Sequence, residues 1–226
     1  EVAALNPPPT WESATVGSTD FVDGKMEIAP SSQEYKDVSS YFQLALYSQK
    51  KNVTITKIER VQNLPLWQTY AVKRQTTKMR YEGEPQHAIN NSDRDGIERR
   101  WLFHGTAEDV AEKIQRQGFN RSFAGRNAVA YGRGAYFARD AAYSCNKTYS
   151  VPDADGIQRI FMCRVMVGDW CLGQYGQLTP SPKPHNQLEL FDSTVDNVTN
   201  PSIFVVYHDA QAYPEYLVSF RHTGED

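Results

Sequence analysis

Tyr131-Gly132-Arg133-Gly134-Ala135-Tyr136-Phe137-Ala138 is the stretch that decides between two kinds of fold. A Gly-x-Gly pair at the entrance to a parallel sheet would need a third glycine three residues on and a helix opening behind it to cradle a dinucleotide. Here Phe137 stands at that third place and the run continues as a strand. A Rossmann fold is therefore not expected. In this half of the chain further strand-like runs lie at 100–104, 159–168, 202–208 and 216–221, with helical patterns near 107–117 and 140–147. Strands outnumber helices and do not alternate with them, which predicts an α+β fold of mixed or antiparallel sheets with a few flanking helices.

Upstream, residues 1–30 mix Pro7-Pro8-Pro9 with Ser, Thr and Gly, and only Phe21-Val22 and Met26-Glu27-Ile28 look able to pair as short strands. This stretch reads as a loose lead-in to one compact domain over 31–226. Pro30-Ser31-Ser32 offers a helix start, and Tyr35, Val38, Phe42 and Leu46 follow at helical spacing. Residues 53–61 begin as an alternating strand, Pro65 opens a second helix carrying Leu66, Trp67, Tyr70 and Val72, and the polar stretch 82–98 reads as a mobile surface connection.

With 226 residues, 40% of them hydrophobic and 12% aromatic, the chain is long enough to bury one real core. A formal charge of -3 and a pI near 6.0 give no global field toward nucleic acid or an anionic membrane. Cys145, Cys163 and Cys171 cannot all pair with one another, and their spacings match no zinc ribbon, so no metal and a reducing compartment are expected. Five Asn-x-Ser/Thr tripeptides, at Asn52, Asn90, Asn120, Asn146 and Asn197, are read as chance occurrences. No apolar run approaches the roughly 20 residues of a membrane span, and no basic-then-apolar leader follows Glu1. The expected location is intracellular, cytoplasmic or nuclear.

Three segments carry chemistry. Leu102-Phe103-His104-Gly105-Thr106 ends an apolar strand in an imidazole, a residue without Cβ and a hydroxyl. Gly105 would let a planar carboxamide reach the backbone, and His104 could hold a ribose hydroxyl, although the pair alone is more often a structural histidine before a turn glycine. The loop from Gly118 to Gly134 places Arg121, Arg126 and Arg133 among glycines, a composition that can wrap a pyrophosphate or simply form a surface loop. In the run Asp140–Tyr149, Tyr149 could sandwich a flat ring against Tyr136 while the Ser144 hydroxyl bonds its amide; as isolated residues, such tyrosines are ordinarily core.

In their order and spacing these segments resemble the diphtheria-toxin-like ADP-ribosyltransferases, specifically the catalytic domain of the poly(ADP-ribose) polymerase family. The likeness runs from about Trp11 to Phe220 and is nearest to mono-transferases that carry macrodomains upstream, through Ile58-Glu59-Arg60-Val61-Gln62-Asn63 and Gln211-Ala212-Tyr213-Pro214-Glu215-Tyr216-Leu217. The resemblance implies NAD+ as co-substrate, bound by a donor loop over 120–131 that includes Asn120 and Arg121. It places His104 on a ribose, Gly105 and Ser144 on the nicotinamide amide, Tyr136 and Tyr149 on its ring, and Thr106 near the adenosine ribose. Implied partners are protein acceptors, the chain itself among the candidates, and nicotinamide-mimicking inhibitors; nucleic-acid acceptors stay open and no membrane is implied.

One departure bears on the product. Polymerising members carry a glutamate at the start of the late core strand, where this chain has Ile203. An isoleucine can neither stabilise an oxocarbenium-like ribose nor activate a growing chain's hydroxyl. The resemblance thus implies a His104-Tyr136-Ile203 set that transfers one unit, with a non-catalytic binder of NAD+ or ADP-ribose as the alternative. Glu189 and Glu215 do not occupy the glutamate's place and are read as surface charges.

Overall fold

The computed structural model describes residues 5–11, 24–47, 52–82, 97–120 and 129–223. In chain order the elements are β1 (Gly24–Glu27), α1 (Gln33–Tyr47), β2 (Val53–Gln62), α2 (Leu64–Glu82), β3 (Glu98–Thr106), α3 (Glu108–Gln117), β4 (Ala135–Ala138) and α4 (Ala141–Ser144). They continue with β5 (Gln158–Met166), β6 (Trp170–Leu172), β7 (Pro182–Lys183), β8 (Asn186–Leu190), β9 (Ser193–Val195), β10 (Ile203–Val206) and β11 (Ala212–His222). The expected α+β fold is what forms.

Nine strands run in the order β1-β2-β11-β5-β3-β4-β10-β9-β6, and β7 and β8 make a separate hairpin. Every pairing is antiparallel except β6 with β9. The sheet is really two wings. β3 pairs with β5 along its whole length, yet among the described residues it meets β4 only where Phe103 faces Ala138. Beyond that point the two strands splay, and a cleft opens between them.

Helices close the faces in the way their apolar stripes dictate. Val38, Phe42 and Leu46 of α1 bury against Phe103, Ile160, Val218 and Phe220. α2 inserts Trp67, Tyr70, Ala71 and Tyr81, whereas Val72 is exposed. Val72 lies five residues from Trp67, about 140° around the helix and off the stripe that the other residues share. Residues 5–11 are docked rather than loose: Trp11 stacks on Tyr213 at 6.3 Å, and the Trp67 indole donates to the Asn6 carbonyl over 2.8 Å. The short strand expected near 26–28 begins two residues earlier and ends one earlier, as β1, while Phe21-Val22 and nearly all of the 82–98 connection lie outside the described residues.

Glu215 overturns its reading as a surface charge. Bulges interrupt β3 between Arg100 and Leu102 and β11 between Pro214 and Tyr216, at neighbouring levels of the sheet. A bulge re-aims the side chain it carries. Glu215 is only 6% exposed and accepts from Arg100 Nε at 3.0 Å, from Arg164 Nη2 at 2.9 Å and from the Trp101 indole. Glu189, by contrast, is exposed as expected. None of the helices is long and apolar enough to cross a membrane among the described residues.

Candidate active site

The cleft between the wings is a cavity of about 500 Å³. His104, Gly105, Thr106, Asn120, Tyr136, Ser144, Tyr149 and Ile203 all line it, so these expected site residues converge on one place. Arg121 and Arg126 lie outside the described residues.

His104 staples the splayed strands. Its Nδ1 lies 2.8 Å from the Tyr136 carbonyl, bridging β3 to β4 one step past their last backbone pairing. A carbonyl only accepts, so Nδ1 carries the hydrogen and Nε2 keeps a lone pair. Burial depresses the imidazole pKa below 6.5 and outweighs the opposing bond to Tyr136, which favours the neutral form. Phe119, edge-on at 5.0 Å, and Phe137 at 5.6 Å fix the ring.

Gly105 has a reason that the sequence did not show. A Cβ there would run into the Ser144 carbonyl and would lie 3.1 Å from the Tyr149 Cβ, so α4 and the chain after it rest directly on the strand backbone. Glycine is required for protein packing before any ligand is considered. The Ser144 hydroxyl donates back to the Phe103 carbonyl at 3.2 Å, and Thr106, 3% exposed, donates to the Ala107 carbonyl.

Tyr136 is held at its far end, where its hydroxyl accepts from Tyr131 N at 3.0 Å and donates to the Gly132 carbonyl at 2.7 Å. Tyr149 is held by Tyr143, with ring centroids 4.9 Å apart, planes 25° apart and hydroxyls 2.7 Å apart. Tyr143 also lines the cavity. It sits inside the run Asp140–Tyr149, where its six-residue distance from Tyr149 gives no periodic signal.

Ile203 opens β10 opposite Ala138, buried at 5% exposure, and forms an apolar part of the wall. The carboxylate beside it, Asp196, accepts from Ser202 N at 2.9 Å, Ile203 N at 3.0 Å and the Ser202 hydroxyl. Burial pushes the Asp196 pKa up, but these hydrogen bonds prevail and hold it below the ordinary value. Asp196 does not line the cavity.

Of the Gly118–Gly134 loop read as able to wrap an anion, 121–128 lie outside the described residues, and Arg133 in the described part does not line the cavity. Gly132 N donates to the Val129 carbonyl at 3.3 Å and Arg133 N to the Gln177 carbonyl at 2.7 Å, so both amides are used internally. A Cβ on Gly132 would strike the Tyr207 hydroxyl and one on Gly134 the Val206 carbonyl. These glycines serve the close approach of the turn to β10 and the segment behind it. A wall that sequence reading missed altogether is the α3 face formed by Asp109, Val110, Lys113, Ile114 and Gln117. Its polar residues alternate with apolar ones at ordinary amphipathic spacing, which reads simply as a solvated side. Among the described residues no cluster of three or more His, Cys, Asp or Glu could hold a metal ion.

The model of the poly(ADP-ribose) polymerase catalytic domain family matches residues 32–222. The chain is 42% identical over 197 residues to the human protein mono-ADP-ribosyltransferase PARP14, covering 87% of this chain and 10% of that protein. It is 34% identical to mouse protein mono-ADP-ribosyltransferase PARP10 over 88% of this chain and 20% of that one. Against human protein mono-ADP-ribosyltransferase PARP11, the identity is 31% over 98% of this chain and 65% of the relative. The chain thus spans between a tenth and about two thirds of these relatives' lengths.

Proposed function

The chain belongs to the poly(ADP-ribose) polymerase catalytic domain family, and from that premise we propose that it transfers a single ADP-ribose unit from NAD+ to a protein side chain and releases nicotinamide. The observation that carries the single-unit reading is Ile203, an apolar side chain in the cavity wall where polymerising members place a glutamate. The names of the three relatives, all protein mono-ADP-ribosyltransferases, support the same reading.

In this reading Tyr136 and Tyr149 take the two faces of the nicotinamide ring, and the Gly105 backbone and Ser144 hydroxyl take its amide. Stacking leaves the ring's polar edge available for those bonds. Neutral His104 accepts a ribose hydroxyl at Nε2 and orients the sugar. The C1′–N bond breaks with its electron pair going to nicotinamide, and positive charge builds on the ribose. The acceptor's ionised carboxylate then bonds C1′ through one oxygen and has no proton to lose. Ile203 supplies no counter-charge, so we assign that role to the acceptor's own carboxylate, with the fixed pocket contributing orientation. NAD+ is co-substrate and no metal enters the reaction. Residues 31–226 are assigned as the catalytic unit, onto which β1 and Trp11 of the 1–30 lead-in pack, and three cysteines outside any disulfide suit an intracellular setting.

Labelled NAD+ incubated with the protein tests the reading. One discrete addition supports it, a ladder identifies a polymerase, and no label at all identifies a binder without turnover. Ile203→Glu is expected to yield no long polymer, because a lone carboxylate does not reshape acceptor access; long chains from that variant would refute this assignment.

A further inference from the structure

One stripe of α3 lines the cavity with Asp109, Val110, Lys113, Ile114 and Gln117. Spacings of one, three and four residues put all five on one helical face. Ile114 is buried in the core below, and Asp109 and Lys113 face each other one turn apart, Nζ to Oδ2 3.4 Å, with most of both side chains in solvent. Such an exposed pair is weakly held, so either partner exchanges readily for a ligand group.

Among the described lining residues, Lys113 is the only cation besides the neutral-favouring His104, and Asp109 is the only carboxylate. The opposite wall, with Tyr136, Ser144, Tyr149 and Ile203, carries no full charge. At its C-terminal end α3 offers no amide to fill the gap, since Gly118 N is committed to the Ile114 carbonyl at 2.8 Å and that end of a helix is its negative pole. Among the described residues, a pyrophosphate entering this half of the cavity therefore meets its counter-charge at the Lys113 side chain, while Arg121 and Arg126 of the expected donor loop lie outside them. Resting on the function proposed above, we infer that Lys113 binds the pyrophosphate of NAD+ and that Asp109, released from Lys113, accepts a hydroxyl of the adenosine ribose. Carboxylates take ribose hydroxyls in this way in other dinucleotide sites. α3 thereby grips the ADP half of the substrate while the tyrosines grip the nicotinamide half.

The test is nicotinamide release from NAD+ by the whole chain, with benzamide binding as a probe of the opposite wall. Lys113→Ala is expected to raise KM for NAD+ about tenfold, the loss of one charge-assisted contact, with kcat within about twofold. Lys113→Arg restores most of the KM, Asp109→Asn raises it about threefold, and the benzamide Kd stays unchanged in all three. A KM for Lys113→Ala within twofold of the parent, or a benzamide affinity that falls in step with it, overturns the assignment of Lys113. An unchanged KM in Asp109→Asn overturns the ribose contact. A parent protein that binds benzamide but never cleaves NAD+ instead overturns the function proposed above, and this inference with it.

Discussion

β3 carries a polar cluster at each end, and the two are built on opposite rules. Near its start, Arg100 and Trp101 converge with Arg164 on Glu215, and opposite charges meet inside the sheet. Near its end, His104 to Thr106 border a cavity whose tyrosines, serine and isoleucine carry no charge. The first cluster closes a sheet through two bulges; the second holds the sheet open through a histidine staple. Saturated charge makes a place rigid, whereas neutral groups with fixed orientation leave room for a charge that develops only during reaction.

The largest effect is expected from Glu215→Ala, which leaves two guanidinium groups facing one another in a largely buried setting. Because Arg100 is 46% exposed and can turn to solvent, the cost falls near the low end for broken buried pairs, about 3 kcal/mol in urea unfolding. A loss under about 1 kcal/mol would mean that the bulges hold themselves. Next comes His104→Ala at the other end of the strand. It removes both the staple and the Nε2 acceptor, and we expect nicotinamide release to fall about a hundredfold with a smaller stability change than Glu215→Ala causes. If stability suffered more than activity, His104 would belong with the structural cluster.

A smaller effect distinguishes rings from hydroxyls. Tyr143→Phe keeps the stack on Tyr149 and deletes the 2.7 Å hydroxyl bond. Benzamide affinity is expected to drop about two- to threefold in a calorimetric titration; no change would show that stacking alone orients Tyr149. The mildest effect is the pH dependence of His104. Its pKa is lower folded than unfolded, so between the ordinary 6.5 and the depressed value the unfolded chain binds more protons. The contribution to stability is complete above 6.5, and is lost as pH falls through the folded value. Protonation also turns Nε2 from acceptor to donor, so kcat/KM should decline in the same acid window, below 6.5 rather than at it. A decline centred above 6.5 would contradict burial as the cause.

Much of the second cluster was legible because its residues sit in short local runs. An apolar strand ending in His-Gly-Thr, a Tyr-Phe-Ala strand and a Ser-to-Tyr segment each announce an element and a polar tip. Glu215 was illegible because its burial depends on a one-residue register shift, which no pattern within β11 reveals. The packing roles of Gly132 and Gly134 were illegible for a related cause: what they avoid, Tyr207 and Val206, comes some seventy residues later. β6 and β9 are three residues each, too short for alternation to show, and exist by pairing with each other and with β10. The α1 stripe was plain, since four residues at helical spacing suffice.

Trp11 has a practical bearing on how short this protein can be made. Its indole covers the rings of Trp67 and Tyr213. Trimming the chain to Pro30, as its proline-rich beginning invites, would lay an aromatic patch open to water on the surface beneath α2 and invite self-association in the test tube. Preparations beginning before residue 5 should stay monodisperse where shorter ones clump.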